Sequence, residues 1–492
     1  MKLLKLDIKN FKLFENLSVD FQDSGHIAVF IGKNGSGKTT LIESLTQIFA
    51  TLLGTKDFKS LEKETFTVQF SITYLLRREK ITETSMFGES FVNYIGVEVS
   101  FEDKLHIKLF EGNDIIEGLP KIEKHLRNKG EELAYILPDN FVVYYSGISN
   151  SIYEIYTKFQ RKLITGTLTG EVQFDQPFYY FLPQNLPAIL IGLLSYEYGD
   201  VPDALQKQFG ISGFSTIQLN FKKPSWAKSK STIEDFWGAM GELNQFMNIL
   251  KGATTAKFQS DSITFSISDK SQLENIWSFY GTEKRLFEYL VSLQSNDFLE
   301  SIDLNLIKNG REVSFNNLSE GEKQLLIITG LKELLAADNS LFLLDEPDTY
   351  LHPEWKREFV YNLFKEEEDL FKNFSIITTH SPNVLSALKK GQLNVLVNEN
   401  GKSRIKNISF NPYGKPVDDI LTDFFDLEGL RYKKVQQQLN DIWDFIRANN
   451  YKSAEFSELF AKLEKDLGKS DKALTDIRLE ITKRNKLNEK DK

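Results

Sequence analysis

The sequence predicts an α/β protein built on a mixed sheet with an antiparallel β-subdomain, and three observations support this fold class. A strand pattern at His26–Gly32 leads into a glycine-rich turn and then into an apolar helical pattern, the order in which an α/β core begins. Short apolar runs at Leu341–Leu344 and Phe374–Thr378 are bounded by polar residues, as buried strands of a mainly parallel sheet are. Alternating runs at Val97–Phe101 and Leu105–Leu109 flank a polar turn and predict an antiparallel hairpin.

The remaining segments are predicted by the same periodicities. Apolar and charged residues alternate over Leu4–Ile8, which predicts a half-buried first strand. Helical patterns cover Ser231–Leu250 and Lys270–Leu293, and Asn309-Gly310 between two short runs is a strong signal for a type I′ hairpin. From about residue 415 onward the pattern becomes helical, with apolar residues on one face.

Composition limits the classes of function. The chain has 492 residues, of which 41% are hydrophobic and 26% charged, an ordinary globular balance. Its net charge of −9 argues against a protein that simply coats nucleic acid. Because cysteine is absent, disulfides, thiol nucleophiles and cysteine-ligated metals are excluded. The five histidines show no paired spacing, which argues against a histidine metal site.

No segment predicts a membrane span or a secretion signal. The strongest apolar run, Pro187–Tyr196, is about half of the length that crosses a bilayer. The N-terminal residues alternate in character instead of forming the apolar block of a signal peptide. A cytoplasmic protein without a membrane partner is therefore expected.

A glycine-rich motif of the form GxxxxGK[ST] lies between the first predicted core strand and the helix that follows it. Its glycines allow backbone N–H groups to converge on phosphate oxygens, and the start of the helix adds a favourable dipole. Lys38 is expected to reach the β- and γ-phosphates, and the Thr39 hydroxyl to contact Mg²⁺. An ordinary glycine turn is the alternative, but the flanking strand and helix favour nucleotide binding. The predicted nucleotide-binding residues are Gly32, Lys33, Asn34, Gly35, Ser36, Gly37, Lys38, Thr39 and Thr40.

Two acidic residues, Asp345 and Glu346, follow the apolar run Leu341–Leu344. A parallel strand would carry both to the edge of the sheet where the phosphate loop also lies. Asp345 is suited to hold Mg²⁺ together with Thr39, and Glu346 to orient or deprotonate an attacking water. An acidic pair after a strand is a weak signal alone and becomes a strong one together with a phosphate loop.

A third motif, Leu318–Gln324, opens another predicted helix. Ser319 and Glu322, three residues apart, form a capping box, so a well-capped helix is the simplest interpretation. The free N–H groups of the same helix start, with Ser319, Gly321 and Glu322, would also suit a phosphate. The two interpretations are compatible, because each can apply in a different nucleotide state.

The order of these motifs resembles that of the ABC-type heads in the RecF/SMC-like branch of the AAA-family P-loop ATPases. Walker A at Gly32–Thr39, a signature at Leu318–Gln324, Walker B at Leu344–Glu346 and a switch histidine at His380 agree in order. The segment Asp348–Pro353 is similar to a D-loop.

This resemblance implies an ATP sandwich. In such heads the signature closes over the γ-phosphate held by a second head, so a homodimer with two composite sites is expected, with ATP and Mg²⁺ as cofactors. Glu346 would be the catalytic residue that acts on water, and His380 would contact the γ-phosphate. Thr39 and Asp345 would be the metal ligands. For the Q-loop glutamine of the family Gln184 is a candidate, and an ordinary loop glutamine is the alternative.

The resemblance also implies a division of the chain into three parts. Residues 1–55 and 300–400 are predicted to form the ATPase head, and residues 56–299 a compact inserted lobe of strands and, mainly, helices. Long coiled coils of the SMC type are not predicted in that insertion. Residues 401–492 are predicted to form a helical region that binds a partner. Its predicted aromatic anchors are Phe424, Phe425, Trp443, Phe445 and Phe460, with packing onto the head as the alternative for each of them.

Looser matches indicate one branch of this family. Gly414–Leu421, Asn449–Ala454 and Val142–Gly147 resemble the PtuA ATPase subunits of Septu and retron-linked anti-phage systems. That resemblance implies a separate HNH nuclease subunit, PtuB-like, as a partner in bacterial antiviral defence. Since the predicted strand Leu393–Val397 is followed by no acidic metal-binding cluster, an intrinsic nuclease domain of the Toprim type is not expected.

Two other functions stay open from the sequence. One is a RecF-like repair clamp in which the closed dimer grips DNA, and the other is a nucleotide sensor with negligible turnover. The basic segment Lys222–Lys230 contains a tryptophan and would suit phosphates and a stacked base, with a solvated loop as the alternative. A higher oligomer and a contact with DNA or RNA also stay open.

Overall fold

A computed structural model describes residues 1–81, 90–147, 150–164, 177–227, 231–296, 298–363, 373–406, 411–417, 419–420 and 431–490. The chain divides into two compact units, Met1–Gly414 and Lys415–Lys492. Two of the predicted aromatic anchors, Phe424 and Phe425, and the last part of the basic segment, Lys228–Lys230, lie outside the described residues.

The helices and strands have the following bounds. The strands are, in chain order, β1 (Lys2–Phe11), β2 (Phe14–Asp20), β3 (Ile27–Ile31), β4 (Gln69–Ile81), β5 (Ser90–Phe101), β6 (Leu105–Glu111), β7 (Asp114–Glu117), β8 (Asn140–Tyr145), β9 (Phe178–Tyr180), β10 (Ile211–Lys222), β11 (Thr255–Phe258), β12 (Ser262–Ile267), β13 (Leu299–Lys308), β14 (Arg311–Ser314), β15 (Ser340–Asp345), β16 (Asn373–Thr379), β17 (Leu393–Glu399) and β18 (Lys402–Lys406). The helices of the first unit are α1 (Lys38–Leu53), α2 (Phe58–Leu61), α3 (Leu119–Arg127), α4 (Ser151–Ile164), α5 (Leu186–Ser195), α6 (Asp200–Phe209), α7 (Gly241–Ala253), α8 (Lys270–Trp277), α9 (Glu283–Ser295), α10 (Glu320–Leu335), α11 (Pro353–Leu363) and α12 (Pro382–Leu385). Those of the second unit are α13 (Lys433–Arg447), α14 (Ala454–Leu467) and α15 (Lys472–Lys490).

The central sheet of the first unit brings the predicted motif strands together. Over the described residues its order is β18-β17-β3-β16-β15-β8-β9, and the pairs are parallel except for the β17–β18 hairpin. Asp345 at the end of β15 is in register with Thr378 of β16 and with Tyr145 of β8. Because parallel strands end at a common edge, the segments that follow β3, β15 and β16 meet there. The mixed sheet predicted from the sequence is confirmed.

Two antiparallel sheets complete this unit, with the orders β2-β1-β4-β5-β6-β7 and β11-β12-β10-β13-β14 over the described residues. The first predicted hairpin is β5–β6, in which Ser100 lies opposite His106. The second joins β13 to β14 through Asn309 and Gly310, whose φ values are 49° and 73°. Positive φ at both turn residues is what a type I′ turn requires, so both hairpin predictions are confirmed.

The described strands between residues 56 and 299 are shared among all three sheets. β4 to β7 extend the sheet that contains β1 and β2, β8 and β9 complete the central sheet, and β10 to β12 pair with β13 and β14. The β17–β18 hairpin crosses residue 400, and the first unit continues to Gly414. The sheets therefore do not follow the predicted boundaries at residues 55, 300 and 400, because pairing partners come from both sides of each. The division into head, inserted lobe and C-terminal region stays a functional prediction.

The strongest apolar run of the sequence forms α5, a helix that is buried along its whole length. It packs on α10 at Gly330, where a Cβ atom would lie 2.1 Å from Ile189 Cγ2. This close approach holds the helix that follows Ser319 against the core. Within the described ranges, none of the helices is both long and apolar enough to cross a bilayer.

The helix predicted over Ser231–Leu250 is wrong in its first half. Phe236 and Trp237 have φ values of 50° and 58°, and a short 3-10 turn there precedes α7. Both side chains are buried, and the Trp237 ring packs edge-on against Phe298 at a centroid distance of 5.9 Å. Aromatic packing thus overrides the local helical pattern. The segment Lys270–Leu293 is likewise divided, into α8 and α9.

The second unit is helical, as predicted, and has a hydrophobic core of its own. The core residues are Leu439, Ile442, Ile446, Tyr451, Phe456, Leu463, Leu474 and Ile477. Three predicted anchors, Trp443, Phe445 and Phe460, are partly buried against this core. Tyr432 and Leu479 are instead exposed large apolar side chains of the unit.

Candidate nucleotide site

The phosphate loop connects the end of β3 to the start of α1, in the context that the sequence predicts. Gly35 and Gly37 have φ values of 79° and 99°, a left-handed backbone that favours glycine. A Cβ atom on Gly32 would lie 2.3 Å from Ser36 Oγ and 2.4 Å from the Leu396 carbonyl oxygen. The left-handed backbone therefore explains the glycines at positions 35 and 37, and close packing explains Gly32.

The other residues of the loop differ in exposure. Lys33 and Asn34 are exposed, whereas Ser36 and Thr40 are buried. The Lys33 carbonyl accepts a hydrogen bond from the Ser36 N–H at 3.1 Å. The buried Ser36 hydroxyl has no hydrogen-bond partner among the described residues. Because an unpaired buried polar group is costly, a phosphate oxygen bound here would supply the missing partner.

Lys38 is the buried cation of the loop. It is 6% exposed, its Nζ donates to the Gly32 carbonyl at 2.9 Å, and it lies 4.0 Å from Glu346 Oε1. Burial lowers the pKa of Lys38, while the negative charges of Glu346 and Asp345 oppose this shift. A desolvated ammonium group gains from additional negative charge nearby, and this suits the β- and γ-phosphates of a nucleotide.

Asp345 and Thr39 form the candidate magnesium site. Thr39 Oγ1 donates to Asp345 Oδ2 at 3.0 Å, and the Thr378 hydroxyl donates to the other carboxylate oxygen. Asp345 is 3% exposed, and burial raises its pKa although the two threonine hydrogen bonds and the Lys38 charge oppose this. A buried carboxylate next to a hydroxyl is an oxygen donor set of the kind that Mg²⁺ prefers. Thr39 and Asp345 would therefore hold the ion, which would neutralise charge on the phosphates.

Asp345→Asn should raise the melting temperature of the nucleotide-free protein by a few degrees while abolishing Mg²⁺-dependent hydrolysis. Because the pKa of Asp345 is higher in the folded protein than in the unfolded chain, its carboxylate opposes folding at neutral pH. This opposition vanishes below the unfolded value of about 4, so the gain should shrink as the pH falls. Thermal denaturation of both proteins in EDTA, from neutral pH down to about pH 4, measures the difference between their melting temperatures. A lower melting temperature of the variant at neutral pH would contradict the prediction.

Glu346 and His380 face each other at the same edge of the sheet. Glu346 Oε1 lies 3.2 Å from His380 Nδ1, and the two side chains are 28% and 49% exposed. The Glu346 N–H donates to the Thr378 carbonyl at 3.0 Å, which fixes the start of this segment on β16. The Glu346 carboxylate thus lies between Lys38 and His380 and is partly open to solvent, where a water molecule has access to it.

Ser319 begins α10 with the predicted capping box. Its Oγ accepts a hydrogen bond from the Glu322 N–H at 3.3 Å, and Glu322 Oε2 accepts one from the Ser319 N–H at 3.0 Å. Burial acts to raise the pKa of Glu322, but hydrogen bonds from Lys308 and Ser319 outweigh it and lower that pKa. Within the described residues, no hydrogen bond or ion pair joins Ser319, Gly321 or Glu322 to the phosphate loop of the same chain. The two predicted phosphate-binding groups are therefore not linked by polar contacts within one chain.

Thr378 is a site residue that the sequence analysis did not assign. Besides its hydrogen bond to Asp345, its Oγ1 accepts from the Glu346 N–H at 3.2 Å. It therefore aligns the candidate metal ligand and the candidate base with each other. Its position near the end of a predicted strand, two residues before His380, is the only hint that the sequence contains. The structure shows its role, because the register of β15 and β16 places it opposite Asp345.

The β17–β18 hairpin supports the phosphate loop from outside the predicted motifs. Asn398 Nδ2 donates to the Gly35 carbonyl at 2.9 Å. A Cβ atom on Gly37 would lie 3.1 Å from the hydroxyl of buried Ser403. Neither residue belongs to a recognisable motif, so only the fold shows their contribution to the shape of the loop.

Two weaker candidates from the sequence have contacts of their own. Gln184 is exposed in a short 3-10 turn, and its carbonyl accepts from Gln294 Nε2 at 2.9 Å. Its assignment as a Q-loop residue stays a prediction. Trp226 of the basic segment packs against Phe298 with ring centroids 5.7 Å apart, which favours a structural role over base stacking.

Two relatives of this chain are named as probable ATPases of retrons. The chain is 22% identical to the Retron Vc95 probable ATPase of Vibrio cholerae serotype O1 biovar El Tor, over 86% of this chain and 78% of that protein. It is 22% identical to the Retron Ec83 probable ATPase of Escherichia coli, over 98% of this chain and 87% of that protein. A shorter match to the Septu protein PtuA of Bacillus thuringiensis, at 29% identity, covers 27% of this chain and 37% of that protein.

Among solved structures, the SMC head bound to the C-winged helix domain of ScpA aligns with a TM-score of 0.33 and 14% identity, over 83% of this chain and 99% of that one. The family model described as AAA ATPase domain matches residues 1–385. That range contains the phosphate loop, Ser319, Asp345, Glu346 and His380. Since the match spans well over half of the sequence, the chain belongs to the AAA ATPase domain family.

Proposed function

We propose that this chain is a cytoplasmic ATP hydrolase whose heads dimerise around ATP and Mg²⁺, and that it regulates a separate HNH-type nuclease subunit in bacterial anti-phage defence. The observation that carries the hydrolase part is the convergence of Lys38, Asp345 and Glu346 at one edge of the central sheet. A cation for the phosphates, a carboxylate for the metal and a second carboxylate for the water are the groups that hydrolysis of ATP needs.

Each group has a separate role in this proposal. The N–H groups of the phosphate loop and the Lys38 ammonium bind the triphosphate, and Thr39 and Asp345 hold Mg²⁺. The Glu346 carboxylate orients the attacking water and accepts its proton, since it is partly exposed and lies 4.0 Å from Lys38 Nζ. His380, 3.2 Å from the same carboxylate, holds it in place and contacts the γ-phosphate.

Dimerisation is supported by the position of the signature. Ser319 and Glu320 are exposed at the start of α10, and the described contacts do not tie them to the phosphate loop of their own chain. A helix N-terminus attracts anions, and the anion assigned to this one is the γ-phosphate held by a second copy. Tyr350, which is 57% exposed and whose carbonyl approaches Gly321, would lie on the same dimer face.

The nuclease partner and the role in defence are supported by the relatives. Two of them are named as retron probable ATPases, and another as the Septu protein PtuA. We assign the nuclease contact to the C-terminal unit, which has a core of its own and exposes Tyr432 by 75% and Leu479 by 63%. Exposed apolar side chains that form one patch are typical of a protein interface, and we expect Tyr432 and Leu479 to contribute to such a patch.

Removal of the chain after Gly414 should preserve ATP binding and abolish co-purification with the proposed HNH nuclease subunit. The nucleotide groups described above all lie before residue 414, and the removed unit has a separate core. In the full chain, Leu479→Asp should weaken nuclease binding by about tenfold or more, because it places a charge on an apolar contact. Glu455→Ala, an exposed change on α14, is the matched control and should bind normally.

Undiminished co-purification of both the truncated head and Leu479→Asp would move the nuclease contact to residues 1–414. Salt-dependent binding of duplex DNA by the isolated protein, with no nuclease bound, would favour the RecF-like clamp instead.

A further inference from the structure

A buried amide joins the helix of the signature to the turn that carries Glu346. Gln324 in α10 is 2% exposed, and its Oε1 accepts a hydrogen bond from the Tyr350 N–H at 2.8 Å. Its Nε2 donates to the Tyr144 hydroxyl at 3.2 Å and lies 3.5 Å from the Glu346 carbonyl oxygen. Three separate segments, namely β8, α10 and the turn after β15, therefore meet at one side chain.

The backbone of Glu346 depends on support of this kind. Its φ of 50° lies in the left-handed region, which disfavours any residue with a Cβ atom. Its N–H donates to the Thr378 carbonyl at 3.0 Å, and its own carbonyl accepts from Thr349 Oγ1 at 2.8 Å. An unfavourable backbone conformation at a functional residue persists only where the surrounding contacts determine it. Loss of such a contact would let Glu346 relax and move its carboxylate.

Tyr350 fastens the same turn to α10 at a second point. Its carbonyl oxygen approaches Gly321 so closely that a Cβ atom there would lie 2.9 Å away. The turn from Glu346 to Tyr350 is therefore held on the first two turns of α10, next to the exposed Ser319. A displacement of α10 would be passed to Glu346 through these contacts.

We infer that Gln324 is a positioning residue, which holds the turn from Glu346 to Tyr350 on α10 and so makes the placement of the Glu346 carboxylate depend on the signature helix. The inference rests on the proposed function, in which Ser319 faces the γ-phosphate of a second copy while Glu346 acts in its own site. Gln324 then couples the ATP held by the second copy to hydrolysis in its own chain. If Gln324 only filled space in the core, its substitution would lower the stability of the fold, or would weaken ATP affinity and turnover to a similar extent.

Gln324→Met tests this inference, because methionine keeps the length of the side chain and removes both hydrogen-bonding groups. Phosphate release at saturating ATP should show kcat reduced by about tenfold or more, since a small misplacement of a catalytic group is costly. The Kd of ATP, measured by titration with a fluorescent analogue, should stay within about twofold of wild type, because Lys38 and the phosphate loop are unchanged.

Two further variants separate positioning from a general loosening of the fold. Thr349→Val removes the other side-chain hydrogen bond to the Glu346 carbonyl at an exposed position, so it should fold normally and also lower kcat without changing Kd. Tyr74→Phe removes a hydroxyl that is fully buried in β4 of an antiparallel sheet, where it donates to the Ile136 carbonyl at 2.8 Å. It should lower the melting temperature and leave kcat unchanged.

An unchanged kcat in Gln324→Met, with Glu346→Gln inactive, would overturn this inference and leave the proposed function standing. A parallel loss of ATP affinity and turnover would overturn it as well, because that is the effect of a core residue. If Gln324→Met does not fold, Thr349→Val decides by the same two criteria. Persistent turnover in Glu346→Gln would overturn the role of Glu346 in the proposed function and the inference with it.

Discussion

Glu346→Gln should reduce ATP turnover by about two to three orders of magnitude while ATP remains bound. The amide keeps the shape of the side chain, but it does not accept a proton from the attacking water. Lys38 Nζ, 4.0 Å from Glu346 Oε1, loses a neighbouring negative charge, so the phosphate site becomes more positive. We therefore expect the Kd of ATP to stay constant or to fall. Phosphate release and a nucleotide titration measure the two quantities independently.

A matched control removes the same charge away from the site. Glu132→Gln changes an exposed residue in the loop after α3 and should retain full turnover. Because bound ATP is no longer consumed, Glu346→Gln should also accumulate as an ATP-dependent dimer, which light scattering detects. Residual hydrolysis above about a tenth of the wild-type rate would show that another group activates the water.

The motifs of the site could be predicted because each depends on neighbouring residues. Gly35 and Gly37 occupy a left-handed backbone that few other residues tolerate, so the loop is recognisable from its glycines together with the adjacent Lys38 and Thr39 and the flanking strand and helix. The capping box of Ser319 and Glu322 needs only four consecutive positions, and both of its hydrogen bonds are present. Local chemistry of this kind does not depend on the rest of the fold.

The pairing of the strands could not be predicted in the same way. Alternation shows which face of a strand is buried, but it does not identify the strand beside it. The sequence of β8 therefore does not reveal that this strand pairs with β15, with Tyr145 opposite Asp345. The role of Thr378 depends on the same kind of information, because only the register between β15 and β16 places it beside Asp345.

The contacts of the buried Gln324 amide could not be predicted from the sequence for a related reason. A glutamine in the second turn of an amphipathic helix has the same sequence signal whether it faces solvent or three other segments. Its partners Tyr144 and Tyr350 are distant along the chain, at separations of 180 and 26 residues. The parts of the site that act through tertiary contacts thus became visible only in the folded chain.

Mixing two inactive variants should restore hydrolysis if each ATP lies between two heads. Ser319→Arg places a bulky cation where the γ-phosphate of a second copy must dock, but it leaves its own phosphate loop intact. Lys38→Ala removes the buried cation of the phosphate loop and leaves its own signature intact. Each protein alone should be inactive, because every composite site then contains a lesion.

In a mixed dimer the two lesions fall in the same composite site. The phosphate loop of the Ser319→Arg chain meets the intact signature of the Lys38→Ala chain, while the other site carries both changes. With random mixing half of the dimers are mixed and one of two sites works in each, so turnover should reach about a quarter of the wild-type value. Titration of one variant into the other, followed by phosphate release, should give a maximum near equal amounts.

The controls distinguish a failure of the sandwich from a failure of assembly. Differently tagged chains must co-purify in ATP, which shows that mixed dimers form. A mixture of Ser319→Arg with a Ser319→Arg, Lys38→Ala double variant has no intact composite site and should stay inactive. If mixed dimers form and turnover does not return, the signature does not act on the ATP of the other chain. Hydrolysis would then occur within one head, and the exposed start of α10 would need another ligand.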